Sequence, residues 1–219
     1  ALIGITTALT EKIKLQAWNF FTENVFNTAM LQLDFSAAQK NKSVLFASAQ
    51  LIKQDAINDG GNKDQLKSYY QKASRSLSFG AKAGWKNKHW ETSVNYNRIT
   101  AHGRYLIPRE WGREPFFTFL PRERNDGLGD VHAIVGKMNY NFLKARIKTS
   151  LAAGYYKLPD VKNYSLNKYG LPSYTQVNAD IRYTFAKTLK GLEAQLLIAG
   201  KVNAGETYYN NRYIINKVN

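Results

Sequence analysis

Between His102 and Asp130 the chain reads HGRYLIPREWGREPFFTFLPRERNDGLGD, which sets Arg104, Arg109, Arg113, Arg122 and Arg124 among Glu110, Glu114, Glu123 and Asp126. A guanidinium binds a carboxylate through two parallel hydrogen bonds and so recognises shape as well as charge. A stretch of this length without regular structure is ordinarily functional or disordered. Disorder suits it poorly, because Tyr105, Trp111, Phe116, Phe117 and Phe119 need somewhere to pack. Two readings stay open. The segment is either folded into an interior space, with packed aromatics holding arginines and carboxylates at a constriction, or a salt-bridged cap over the outside.

Other chemistry is thinly represented. The histidines are His89, His102 and His132. A general base needs an orienting carboxylate and a nucleophile or water within reach. His102 has Asp126 and Asp130 nearby in sequence, but no nucleophile motif accompanies it, so no catalytic residue is assigned and an enzyme is not expected. No two histidines stand at metal-ligand spacing. The chain has no cysteine, which removes thiolate zinc sites, disulfides and cysteine nucleophiles. Asp55, Asp59 and Asp64 in DAINDGGNKD miss the spacing of a calcium-binding EF-hand and read as a solvated turn, with a loosely bound calcium as the more remote alternative. Neither a metal nor a cofactor is expected.

The elements that must position the long segment announce themselves by alternation. From Thr175 to Phe185 the odd positions Val177, Ala179, Ile181, Tyr183 and Phe185 are apolar, and Gln176, Asn178, Asp180, Arg182 and Thr184 between them are polar. Successive strand side chains point to opposite faces, so one face is greasy and the other wet. Leu192, Ala194, Leu196, Ile198 and Val202 repeat the pattern against Glu193, Gln195, Lys201 and Asn203. In a soluble sandwich the greasy face meets a core. In a membrane barrel it meets lipid and the wet face lines a lumen.

The alternation predicts strands over 2–10, 12–21, 27–36, 43–52, 75–85, 89–100, 130–142, 145–157, 173–186 and 192–203, with a partial eleventh from about Tyr213. Links on one side are short: around Glu11, then 37–42, 86–88, 143–144 and 187–191. On the other side 53–74, 101–129, 158–172 and 204–212 are long, and only 22–26 is brief. Outer-membrane barrels segregate their connections in this way, and a soluble sandwich has no reason to. Parity agrees across the turns. It sets Arg182 opposite Gln195 and Thr184 opposite Glu193 on the wet face, with Trp85 and Trp90 together on the greasy one. Strand 145–157 turns Ala145, Ile147, Leu151, Ala153 and Tyr155 outward, and Arg146, Lys148, Ser150 and Tyr156 inward. Strands 43–52 and 130–142 are apolar in both phases, so their register is open and a bulge is possible there.

Composition fits this reading. Mean hydropathy is −0.44, and no run approaches the ~18 apolar residues of a membrane helix. Aromatic residues make up 13%, including 14 tyrosines, as expected where girdles mark two membrane interfaces. The net charge of +15 would suit nucleic acid if the bases were gathered on one arm or helix face. They are spread among strands, loops and turns with acids interleaved, so nucleic acid is not an expected partner.

The segment REWGREPFFTFLPRERNDGLGD, with LAAGYYKLPDVKNYSLNKYGLPSYTQVNADIRY and LIKQDAINDGGN, resembles the OprD-like outer-membrane porins. The likeness covers most of the chain and lies in extended texture, with no catalytic signature. It implies an integral protein of the bacterial outer membrane, in contact with lipid, that passes small carboxylate-bearing or other anionic solutes by passive, selective diffusion. In such porins basic side chains face loop carboxylates across an eyelet. Here the matching bases are Arg104, Arg109, Arg113, Arg122 and Arg124, with Arg146, Lys148, Arg182 and Lys201 on the strands. The loop acids are Glu110, Glu114, Glu123 and Asp126. Family barrels have about eighteen strands. Residues 1–219 are therefore expected to be one all-β, up-and-down antiparallel barrel domain of ten to eleven strands, incomplete at both ends. The alternatives are the barrel of an outer-membrane receptor or envelope assembly and, more remotely, a barrel hydrolase.

Overall fold

The computed structural model describes residues 1–207 and 216–218, with the side chains of Arg109 and of 216–218 outside that description. Eleven strands run β1 (Leu2–Ala8), β2 (Ile13–Thr22), β3 (Phe26–Ala38), β4 (Val44–Ala56), β5 (Arg75–Lys86), β6 (Trp90–Ile99), β7 (Val131–Phe142), β8 (Ile147–Lys157), β9 (Tyr174–Thr184), β10 (Glu193–Asn203) and β11 (Asn216–Val218). Each hydrogen-bonds its sequence neighbours in one sheet, and every pairing is antiparallel. The meander is the one expected from the alternation. The described residues form an open sheet rather than a closed ring. Tyr213, where the eleventh strand was expected to begin, lies outside the described residues.

Strands β2 to β10 are 10–13 residues long. At about 3.3 Å per residue and the usual barrel tilt, that length crosses a bilayer core. The outward face is apolar along its middle: Leu33, Val94, Leu151 and Val177 are all exposed there. Aromatic rows flank it. Trp90 packs edge-on against Tyr140 at 4.5 Å, Tyr140 against Phe142 at 4.4 Å and Tyr183 against Phe185 at 4.8 Å beside the short turns. Tyr96 and Tyr155 stand toward the long loops, both opposite Ile134. Such belts sit at headgroup level in membrane barrels.

Turns hold the register. Asn87 accepts both the His89 and the Trp90 N–H at 2.8 Å, an asparagine turn that reverses the chain between β5 and β6. Asn24 takes a positive φ of 57° in the one brief link on the long-loop side. Strand ends move by a few residues from the expected ones: β4 continues to Ala56, and β8 begins at Ile147. Arg146 is thereby a turn residue with φ 56° instead of an inward strand residue.

The two strands of doubtful phase carry no bulge, since β4 and β7 pair without interruption on both sides. Their inward apolar residues, Ile52 on β4 and Val131, Ala133 and Val135 on β7, are buried. They belong to one hydrophobic cluster with Tyr105, Phe116, Leu120 and Leu128 of the β6–β7 loop, joined by Tyr156 and Tyr174. Apolar residues in both phases thus mark where lipid covers one face and the loop covers the other.

Candidate functional site

The long loop, residues 100–130, leaves the rim and lies across the inner face. Its neck is narrow: Tyr105 bridges Leu128, and a Cβ on Gly129 would stand 2.4 Å from the Gly103 carbonyl oxygen. The two loop ends therefore meet backbone to backbone, which only glycine allows here. Beyond the neck the wall holds the loop by its main chain. The Gln54 amide donates to the Leu106 carbonyl at 2.8 Å and accepts the Leu106 N–H at 2.9 Å. Gln50 donates to Pro115 O, Lys137 Nζ to Phe117 O and Phe119 O, and Tyr156 Oη to Thr118 O. Gln176 and Asn178 both donate to Pro121 O, at 2.7 and 2.9 Å. The donors come from β4, β7, β8 and β9, so the loop spans much of the inner wall. Neighbouring loop 158–173 braces it from the rim, Gly129 N–H donating to Leu166 O at 2.7 Å and Lys168 N–H to Gly127 O at 3.0 Å.

Of the two readings left open by the sequence, the interior one matches these contacts. Phe116 is buried in the cluster, and Trp111 packs edge-on against Phe20 at 5.8 Å. Phe117 lies beneath the Lys82 ammonium, 4.9 Å from its ring centre. The Arg113 guanidinium stands 5.9 Å from the Phe119 ring.

The loop acids are distributed unevenly. Glu110 is exposed, whereas Glu114, Glu123 and Asp126 are buried inside the loop. Glu114 Oε1 accepts the backbone N–H groups of Asn125 and Asp126, both at 2.6 Å, and so staples the two limbs together. Burial pushes its carboxyl up to about 7 despite those two bonds. Glu123 is pushed well above the usual carboxylate range, by burial first and then by the charge of Glu114. Asp126 accepts from Ile107 N–H at 2.9 Å and from Arg124, whose guanidinium also donates to Tyr169 Oη at 2.5 Å and stacks 4.3 Å from that ring.

The candidate bases therefore separate by position. Arg124 is committed to the loop's interior. Arg104 is half-buried at the neck, Arg113 and Arg122 are exposed on the loop, and Arg146 is exposed in its turn. The Arg109 side chain is outside the described residues. Lys148 and Arg182 are inward, directly opposite each other on β8 and β9. They line a recess of about 520 Å³ near the short turns, with Glu91, Asp180 and Glu193. There Arg182 pairs with Asp180 at 3.2 Å and Glu193 at 3.4 Å. Lys201, inward on β10, lies 4.5 Å over the Tyr174 ring.

Inward bases absent from the sequence-derived set are Lys14 on β2, Lys82 and Lys86 on β5, and Lys137 on β7. Lys14 faces Asp34, which faces Ser48, which faces Lys82, in one row across the sheet. For Lys82 and Lys86, the parity they share with Ser76 and Ser78 on β5 was the available signal. The histidines make local contacts: His89 with Asn141 O, His102 with Thr100 and His132 with Tyr96. In the loop 57–74, Asp59 and Asp64 pair with Lys72 and Lys67, which suits a solvated turn.

No family model and no curated protein matches the sequence. Solved structures do. OccAB4 of Acinetobacter baumannii superposes with TM-score 0.72 at 16% identity, covering 92% of this chain and 48% of that one. OccK8 (OprE) of Pseudomonas aeruginosa gives 0.75 at 12% identity, with coverages of 92% and 53%. OccK2 (OpdF) of the same organism gives 0.73 at 10%, with coverages of 94% and 53%. These neighbours are OprD-family outer-membrane channels. At such identities the likeness establishes the fold, a portion of an OprD-type β-barrel, and the chain spans about half the length of the structures it matches.

Proposed function

We propose that this chain forms part of the wall and the constriction loop of an outer-membrane porin that passes small anionic or carboxylate-bearing solutes by passive diffusion. The observation that carries the reading is the long loop held across the inner face with its bases and acids sorted. Arg113 and Arg122 are exposed on it, while Glu114, Glu123 and Asp126 are turned into its interior. A solute passing the loop therefore meets guanidinium groups and the lysines of the facing wall more than carboxylates. An excess of one sign on the walls of a narrow aqueous space concentrates the opposite ion. The apolar outward face between aromatic belts supports placement in the outer membrane, where the neighbours of this fold reside.

The test is a reversal potential measured under a salt gradient with the complete protein in a planar bilayer. Anion preference is expected, and the R113Q/R122Q variant should weaken it. Cation preference in the unaltered channel would overturn the proposal.

A further inference from the structure

Toward the long loops the outward face carries charge: Lys53 beside Asp55 on β4, and, apart from them, a row on β6 to β8. Arg98 on β6 lies directly opposite His132 on β7, and His132 directly opposite Lys157 on β8. Arg98 and Lys157 thus bring two positive charges onto one row of adjacent strands with a histidine between them, a gathering of like charge that disfavours a sheet unless something of opposite sign lies near. Asp130 answers only part of this. It accepts from Arg98 at 2.5 Å, and Arg98 also donates to the Ile99 and Val131 carbonyls, so this guanidinium is planted with 17% of its side chain exposed. His132 and Lys157 are exposed. Tyr96 Oη engages His132 Nδ1 at 2.9 Å, which orients the ring.

Position identifies the class of partner. Continued toward β5 the row meets Phe79, and one step toward the sheet centre lies the row of Tyr96, Ile134 and Tyr155. The bases thus stand just beyond a tyrosine belt, on the lipid-facing surface, at the end that carries the long loops. Basic residues at that depth meet headgroups, and a planted guanidinium beside an ammonium suits phosphate oxygens. We propose that Arg98, His132 and Lys157 form a site for the phosphate of an anionic lipid headgroup in the leaflet on the long-loop side. The proposal rests on the membrane placement given above.

The complete protein in detergent micelles is titrated with lipid A, whose sugar carries phosphates, and with its dephosphorylated form, binding being followed by native mass spectrometry. The phosphorylated lipid should bind about tenfold or more tightly than the dephosphorylated one. The H132Q/K157Q variant should lose that difference, and K148Q/R182Q on the inner wall should keep it. Neither substituted pair packs a core, and unchanged strand circular dichroism confirms that each variant folds. Equal discrimination by H132Q/K157Q and the unaltered protein would overturn the site. Displacement by inorganic phosphate at lipid-like concentration would also overturn it, since the site would then serve a soluble anion. Channel selectivity is read separately in bilayers, so the porin reading can fail while this site stands, and the reverse.

Discussion

The inner wall has two halves built from the same kinds of residue, and they behave differently. Beneath the loop, Gln50, Gln54, Gln176 and Asn178 are buried and spend their amides on loop backbone. Nearer the short turns, Lys148, Asp180, Arg182, Glu193 and Gln195 stay accessible, and Arg182 and Gln195 pair with the acids across a recess. A polar residue at an inward position is therefore no guarantee of a wet surface. What decides is whether another segment of chain lies over it. Buried polar groups must be satisfied, so amides under the loop act as structural fasteners, whereas exposed ion pairs contribute little to stability and remain able to meet a solute.

Three consecutive residues of β8 sample both halves and the lipid face. Ala152 is buried under the loop, Leu151 faces outward and Ser150 faces the recess. Ala152→Arg should cost the most, about 3–5 kcal/mol, because it overfills the cluster with an unpaired charge. Leu151→Arg, at the middle of the apolar band, should cost about 2–4 kcal/mol. Ser150→Arg should cost under about 1 kcal/mol. Folding titrations into lipid vesicles measure all three, and equal costs for the two inward sites would remove the distinction between covered and bare wall.

The fasteners come next in size. Gln54→Ala leaves the Leu106 N–H and carbonyl without partners, at about 1–3 kcal/mol. Hydrogen exchange at Leu106 should accelerate accordingly. Arg182→Gln in the bare half should change stability by less than about 1 kcal/mol.

The Glu114 staple supplies a smaller, pH-dependent effect. Its carboxyl sits at about 7 in the folded loop against an ordinary 4.5, so between those values the folded state holds a proton that the unfolded chain releases. Stability is then greatest below about 4.5 and falls as pH rises through about 7. Thermal unfolding between pH 4 and 8 should show this decline in the unaltered protein. Glu114→Gln, which keeps an oxygen to accept both N–H groups, should lessen it, the remainder belonging to Glu123, whose carboxyl burial also raises. A slope unchanged by the substitution would assign the dependence to another group.

Much of the barrel was legible because a strand with lipid on one side and polar surroundings on the other must alternate. Arg182 does face Gln195, and Thr184 does face Glu193, as parity required. The strands that defied the pattern, β4 and β7, did so through Ile52, Val131 and Val135, whose partners lie in a loop distant in sequence. Local periodicity shows that both faces are covered there, but not which segment does the covering. The same limit applied to the loop itself. Its composition marked it as packed and functional, but which arginines are spent internally depends on three-dimensional neighbours, as Arg124 with Asp126 and Tyr169 shows. Lys82 and Lys137 were missed because a lone inward lysine, beside Gly80 and Gly84 on β5 or Gly136 and Asn139 on β7, looks like any solvated strand position.

The loop's position in the lumen is the claim on which the rest depends, and single-channel recording tests it most directly. Deleting 109–122 from the complete protein removes the segment fastened to β4, β7, β8 and β9, while the neck at Gly103 and Gly129 still lets the chain close. The account predicts a larger conductance and loss of discrimination between carboxylate solutes and neutral ones of the same size. Unchanged conductance together with unchanged discrimination would contradict it.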